Sequence, residues 1–240
     1  MMVCRWWIGF ELVVDAPFFF RFGKVIKKMN WTDNIKVTNE DNMELMARYP
    51  DNHFDLAIVD PPYGININTN IGRRKGDKKS NYHKFSGGDK SIPNSNYFTQ
   101  LFRVSKNQII WGGNYMTDFL YPSSCWLLWD KGFSEKLSFA QYEMAWTSFS
   151  SSAKKYDYNA AANRNRIHPT QKPKNLYIWI LDNYATEGDK ILDTHLGSGS
   201  IAIACHELGF ELTACELDAE YYNASLKRFK LETKQLMLDL

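Results

Sequence analysis

Between Lys190 and Glu216 the chain runs strand, glycine loop, helix, strand, acid, and few folds can host that succession. Lys190-Ile191-Leu192-Asp193 is a short apolar strand, followed by Thr194-His195-Leu196-Gly197-Ser198-Gly199-Ser200. The apolar stretch 201–208 then reads as a helix ended by Gly209, and Glu211-Leu212-Thr213-Ala214-Cys215 as the next strand, finishing at Glu216. Glycines let a backbone approach a ligand closely, and an acid closing the second strand accepts ribose hydroxyls. The dinucleotide fingerprint is incomplete, because Ala202 stands where its third glycine belongs. A nucleoside without a pyrophosphate therefore fits better, although glycine turns also join strands to helices in α/β proteins that bind no nucleotide.

The rest of the chain keeps a similar rhythm. Ile35-Lys36-Val37-Thr38 reads as a strand, Asn39-Glu40-Asp41 as a turn and helix cap, and Met43, Leu45, Met46 and Tyr49 as one face of a short helix ending at Pro50. Phe54-Asp55-Leu56-Ala57-Ile58-Val59 is short and apolar enough for a buried parallel strand. Further strands are expected at Gln108-Ile109-Ile110-Trp111, Ser124-Cys125-Trp126-Leu127-Leu128-Trp129 and Glu143-Met144-Ala145-Trp146-Thr147, and a final helix over about 219–231. The fold class is α/β, a Rossmann-like, mostly parallel sheet with helices on both faces.

Asp60-Pro61-Pro62-Tyr63 follows the strand ending at Val59, so Asp60 lies where α/β sheets bind their ligands. The two prolines exclude both helix and ladder, leaving a stiff, extended tetrapeptide. Its acid and carbonyl can accept N–H bonds from a planar amine while its ring stacks on that group's face. A tight turn capped by an aspartate is the competing reading of these four residues.

Charge points to a partner. Residues 71–90 hold seven Lys/Arg against two Asp, and residues 154–174 six against one, in a chain whose overall net charge is only +2. Two basic segments on an otherwise acidic chain suit a polyanion. The four cysteines are scattered, with no His at zinc-ligand spacing, which reads as a reduced, cytosolic chain with no structural metal. No apolar run reaches the length of a membrane span. Residues 1–28 crowd Trp6, Trp7, Phe18, Phe19 and Phe20 among charges and read as an extension of unknown role; globular patterning fills 29–240.

Taken together, Asp60-Pro61-Pro62-Tyr63, His168-Pro169-Thr170-Gln171-Lys172-Pro173, Asp193-Thr194-His195-Leu196-Gly197-Ser198-Gly199 and Glu216-Leu217-Asp218 stand in the order found in amino-group DNA methyltransferases. The chain resembles the permuted β class, in which the catalytic motif precedes the motifs that bind S-adenosylmethionine. The similarity spans about residues 30 to 230. It implies a class I methyltransferase fold over 29–240, with Asp60 and the Pro61 carbonyl accepting bonds from the target amine, Pro62 stiffening the motif and Tyr63 stacking on an extruded base. It further implies that Asp193, Gly197, Ser198 and Gly199 line the methionine part of the cofactor, with Glu216 on the ribose and Asp218 beside it. Asp41 is expected near the adenine, and His168 and Lys172 near the methionine end. His195 departs from the aromatic residue common there.

The resemblance implies methyl transfer to the exocyclic N6 of adenine in double-stranded DNA, with cytosine N4, structured RNA and a catalytically silent binding relative as alternatives. A dehydrogenase is the weakest reading. The basic loop 66–96, with Arg73, Arg74, Lys75, Lys78, Lys79 and Lys84, would clamp the backbone. The stretch 148–167, with Lys154, Lys155, Arg164 and Arg166, is polar and aperiodic and reads as a loop or a very small subdomain; it occupies the place of a target-recognition region and is short, which implies weak or short sequence specificity. A bacterial, phage or prophage setting, a homodimer and a restriction endonuclease partner are expected by analogy.

Overall fold

The computed structural model describes residues 28–66, 89–133, 140–160 and 166–236. Within them the chain lays down strand β1 (Lys28–Asn30), β2 (Ile35–Thr38), helix α1 (Asn42–Met46), β3 (Phe54–Val59), α2 (Ser95–Val104) and β4 (Ser105–Trp111). Two short 3-10 turns follow, and then β5 (Trp126–Asp130), β6 (Tyr142–Thr147), β7 (Lys154–Asp157), α3 (Lys174–Tyr184), β8 (Lys190–Asp193), α4 (Ser200–Leu208), β9 (Glu211–Cys215) and α5 (Ala219–Leu236). Residues 1–27, most of the 66–96 loop and residues 161–165 lie outside the described set, as do Arg73, Arg74, Lys75, Lys78, Lys79, Lys84 and Arg164.

All nine described strands join one sheet in the order β1-β2-β9-β8-β3-β4-β6-β5-β7. The five central strands, β2, β9, β8, β3 and β4, run parallel, and β6 then pairs antiparallel with both β4 and β5. Parallel strands need crossovers that cover both faces, and the side chains divide accordingly. Leu56 and Ile58 face a layer holding Leu176, Ile180, Ile201, Ile203 and Phe229 from α3, α4 and α5. Ala57, Val59 and Leu192 face the opposite layer, with Leu45 and Met46 of α1 and Phe98 and Leu101 of α2.

Three expectations about elements need correcting. The stretch 148–167 is not simply loop, because Lys154–Asp157 adds a strand parallel to β5. Helix α1 stops at Met46, short of Pro50, and turns fill the interval. The last helix runs on to Leu236. Polar content hid β7, whose pattern is mostly exposed. An edge strand with one partner gains little from apolar burial, so its sequence has little periodicity to show.

Leu192 sits at 0% exposure in the middle of this arrangement. Leu192→Ala should cost about 2–5 kcal/mol of unfolding free energy, measured by equilibrium denaturation at constant m-value.

Candidate active site

The carboxyl ends of β3, β8 and β9, together with the loop before α3, enclose a cavity of about 580 Å³. Its size and mixed lining suit a nucleoside-sized ligand. β3 and β8 pair in parallel with Leu56 opposite Ile191 and Ala57 opposite Leu192, so the chain segments leaving both strands emerge side by side.

Of the residues picked from sequence, Asp41, Asp60, Pro61, Pro62, Tyr63, His168, Lys172, His195, Gly197, Ser198 and Glu216 line this cavity. They come from segments up to 175 positions apart and meet only through the sheet.

Asp193, Gly199 and Asp218 do not line it. Asp193 is 2% exposed and accepts the His195 N–H at 2.9 Å, which shapes the turn out of β8. Gly199, at φ +74°, starts α4, and a Cβ there would lie 3.1 Å from Ser225 Cβ. The Asp218 carboxylate accepts from the Glu220 and Tyr221 N–H groups at the start of α5. All three build the loops that carry the wall.

The glycine loop is braced on several sides. Glu216 Oε2 accepts the Gly197 N–H at 2.8 Å, and Oε1 accepts the Asp218 N–H at 2.9 Å. An ionised carboxylate has about four lone-pair sites, so acceptor capacity remains on the cavity side. Arg228 donates to Ser198 O and Ser200 Oγ, and Ser200 Oγ donates to Lys172 O at 2.7 Å, tying the loop to the segment before α3.

At the other end, each Asp60 oxygen holds one donor. Its Oδ2 accepts from Lys172 Nζ at 2.5 Å and its Oδ1 from the Tyr63 hydroxyl at 2.7 Å. The Tyr63 and Gly64 N–H groups both donate to Asp89 Oδ1, which fixes the tetrapeptide from across the chain. Tyr63 lies flat over Gly112, where an added Cβ would come within 2.2 Å of the ring. Tyr115 stacks on it, with centroids 5.4 Å apart and an interplanar angle of 19°.

Burial sets the charges. The Asp193 carboxyl is pushed up to about 8, chiefly by burial and further by Asp60 and Glu216, against the His195 hydrogen bond and the Lys172 charge. His168 and His195 are both pulled down to about 4, His195 by burial and His168 by burial and then the Lys172 charge, so both rings are neutral near pH 7. His195 is held by Asn42 and Thr194 and meets Tyr97 edge-on, while His168 lies edge-on to Tyr221. A cavity with neutral imidazoles and several acids is electrostatically suited to a cationic ligand.

Sequence reasoning missed Glu40, Asn42, Asp89, Glu143, Tyr177 and Thr194, which also line the cavity. Glu143 did leave a signal, as an acid at the head of an otherwise apolar strand. Asp89 left none, because its bond to Tyr63 spans 26 positions. Of the described basic residues assigned to nucleic acid, Lys155 pairs with Asp130 and Asp157, Lys154 bonds Asn183, and Arg166 bonds the Ala160 carbonyl. None of the three lines the cavity. No group of three metal-ligating side chains, and no helix long and apolar enough to cross a membrane, occurs among the described residues.

Comparison with known proteins agrees with this architecture. The N6/N4 methyltransferase family model, described as DNA methylase, matches residues 121–227. The type II methyltransferase M.HpaI of Haemophilus parainfluenzae is 35% identical over 71 residues, 29% of this chain but only 23% of that protein. Among solved structures, the M1.HpyAVI–SAM complex aligns with TM-score 0.52 and 17% identity over 80% of this chain and 98% of that one. PvuII DNA methyltransferase, described as cytosine-N4-specific, aligns with TM-score 0.57 and 14% identity over 85% and 90%. Residues 121–227 thus match the N6/N4 DNA methyltransferase model, and the sheet has the Rossmann-like fold of these solved structures.

The raised Asp193 value has a testable sign. Its carboxyl stays protonated in the folded chain while the unfolded chain ionises near pH 4, so its contribution to stability is complete below pH 4 and is lost as pH rises toward about 8. Against Asp193→Asn, which keeps the acceptor for the His195 N–H, the wild type should lose up to a few kcal/mol between those limits and run parallel above them. Denaturant unfolding across pH 4–9 measures this, and a pH-independent difference would mean that Asp193 is ionised in the fold.

Proposed function

We propose that this chain, a relative of the N6/N4 DNA methyltransferases, transfers the methyl group of S-adenosylmethionine to the exocyclic N6 of an adenine extruded from duplex DNA. The observation that carries the reading is the meeting of Asp60 with the glycine loop of β8 in one cavity. When bound, S-adenosylmethionine supplies an electrophilic sulfonium methyl. The chain's residues fit that group: Gly197 lets the loop backbone run close to a ligand, Glu216 offers acceptor capacity to ribose hydroxyls, and Asp41, which caps α1, lines the same cavity and is assigned to the adenine. Neutral His195 and His168 flank the methionine end without repelling a cation.

At the reacting end, the target amine is a poor nucleophile because its lone pair is delocalised into the ring. Hydrogen bonds accepted by Asp60 and the Pro61 carbonyl favour a pyramidal nitrogen with the lone pair directed at the methyl carbon. Positioning and stabilisation of the charge that develops on nitrogen then supply the rate. In the structure the Tyr63 hydroxyl occupies Asp60 Oδ1, so the arriving amine takes over that acceptor and the Tyr63 ring covers the base.

The comparisons leave the base open, since the matching family model spans both N6 and N4 types and one structural neighbour is described as cytosine-N4-specific. Aspartate at the head of the motif supports adenine within the family resemblance. The motif order supports the permuted class, with the catalytic strand β3 preceding the β8–α4–β9 unit in the chain. The basic segments 66–96 and 148–167 bind the DNA backbone, with affinity that falls steeply as salt rises. A bacterial or phage cytoplasm, a homodimer and a restriction endonuclease partner belong to the same reading by analogy.

Incubation with methyl-labelled S-adenosylmethionine and DNA, followed by digestion to nucleosides, should place label in N6-methyldeoxyadenosine. Label in N4-methyldeoxycytidine would reassign the base, and no label in DNA would reject the activity. Asp60→Ala should lower transfer by about 100-fold or more while calorimetric S-adenosylmethionine binding persists. Transfer at near the wild-type rate would remove Asp60 from its role.

A further inference from the structure

Lys172 is the most tightly enclosed cation of the site, with its side chain only 2% exposed. Its ammonium touches three oxygens: Asp60 Oδ2 at 2.5 Å, Glu143 Oε2 at 3.2 Å and the Tyr63 hydroxyl at 3.2 Å. The ring centroids of Trp111 and Tyr63 lie 5.1 and 5.7 Å from the same nitrogen. Glu143, on β6, gives its other oxygen to Lys131 at 2.6 Å. The result is a row of alternating charge, Lys131, Glu143, Lys172, Asp60, leading from the end of β5 to the tetrapeptide.

Such a row solves a specific difficulty. A lysine paired only with Asp60 would cancel the charge that Asp60 must present to a nitrogen becoming positive. It would also lose its counter-ion whenever Asp60 takes a proton, and a buried ammonium without a partner is costly. Glu143 removes both problems. It draws part of the Lys172 charge away from Asp60, its own charge being balanced in turn by Lys131, and it keeps the ammonium in place whatever Asp60 is doing.

Resting on the methyltransfer reading above, we propose that Glu143 is a positioning residue that acts through Lys172, pinning Asp60 Oδ2 so that Oδ1 alone is offered to the target amine. The charge states agree with this geometry. Burial opposes the Lys172 ammonium, but Asp60 and Glu143 outweigh it and hold the group above the ordinary lysine value. Burial likewise opposes the Glu143 carboxylate, and Lys172 and Lys131 hold it below the ordinary range. The other groups that bear on Asp60 are the Tyr63 phenol and, electrostatically, buried Asp193, Tyr97 and Tyr177.

The test is a double-mutant cycle of Glu143→Gln and Lys172→Met on steady-state methyl transfer, with thermal melting and S-adenosylmethionine binding measured on each variant. Glu143→Gln is isosteric and should lower kcat about 10-fold or more in the wild-type background, yet change it less than about 2-fold in Lys172→Met. The loss in Glu143→Gln should fall on kcat, with KM for DNA and for S-adenosylmethionine unchanged within about 2-fold. Cofactor binding should stay within about 2-fold in Glu143→Gln.

The proposal is overturned if Glu143→Gln keeps near wild-type kcat, if its loss persists in Lys172→Met, or if the loss falls on KM instead of kcat. An inactive wild type would reject the methyltransfer reading, and this inference with it. An active wild type with an additive cycle would reject the inference alone.

Discussion

The parallel pairing of β3 with β8 is the constraint on which the site depends. Neither strand carries a complete function. β3 delivers Asp60 at its carboxyl end, and β8 delivers the glycine loop at its own. Only a parallel register puts both ends on the same edge of the sheet, and only a buried position for both strands makes that register hard to shift. Leu56, Ala57, Ile191 and Leu192 are all at or below 1% exposure, so a slip would carry apolar side chains to the wrong face. The cavity is therefore a product of the core, and its two halves are held in relative position by packing far from either ligand.

A second constraint is electrostatic. The cavity is rich in acids, which suits a cationic methyl donor, yet adjacent carboxylates in a poorly solvated site raise one another's proton affinity. Asp193 shows the effect, pushed up by burial and by Asp60 and Glu216. Lys172 is the counterweight to Asp60 and Glu143, and it reaches them because the segment before α3 is anchored through Ser200 Oγ to its own carbonyl. The glycine loop and the Asp60–Tyr63 tetrapeptide thus communicate through one residue, which carries a backbone tie to one and a side-chain tie to the other.

Much of this was legible in the sequence. The β8–α4–β9 unit announced itself because glycines, an apolar helix and a terminal acid are local features with local causes. Asp60-Pro61-Pro62-Tyr63 stood out because consecutive prolines rule out the ordinary alternatives. What stayed hidden depends on contacts distant along the chain. Tyr63 engages Gly112, Tyr115 and Asp89, and Glu143 matters only because β6 lies two strands from β3. Asp193, Gly199 and Asp218 stand behind the cavity lining. They belong to the right motifs, but their side chains or backbone shape turns and helix starts, and the lining falls to their neighbours.

The central claim is that one cavity brings the methyl donor and Asp60 together. A crystal structure with S-adenosylhomocysteine bound tests it most directly. Ribose hydroxyls should lie on Glu216 and the sulfur should be directed at Asp60, so placed that an amine bonded to Asp60 Oδ1 would stand about 3–3.5 Å from a methyl on that sulfur. A ligand bound elsewhere, or bound here with its sulfur turned away from Asp60, would contradict it.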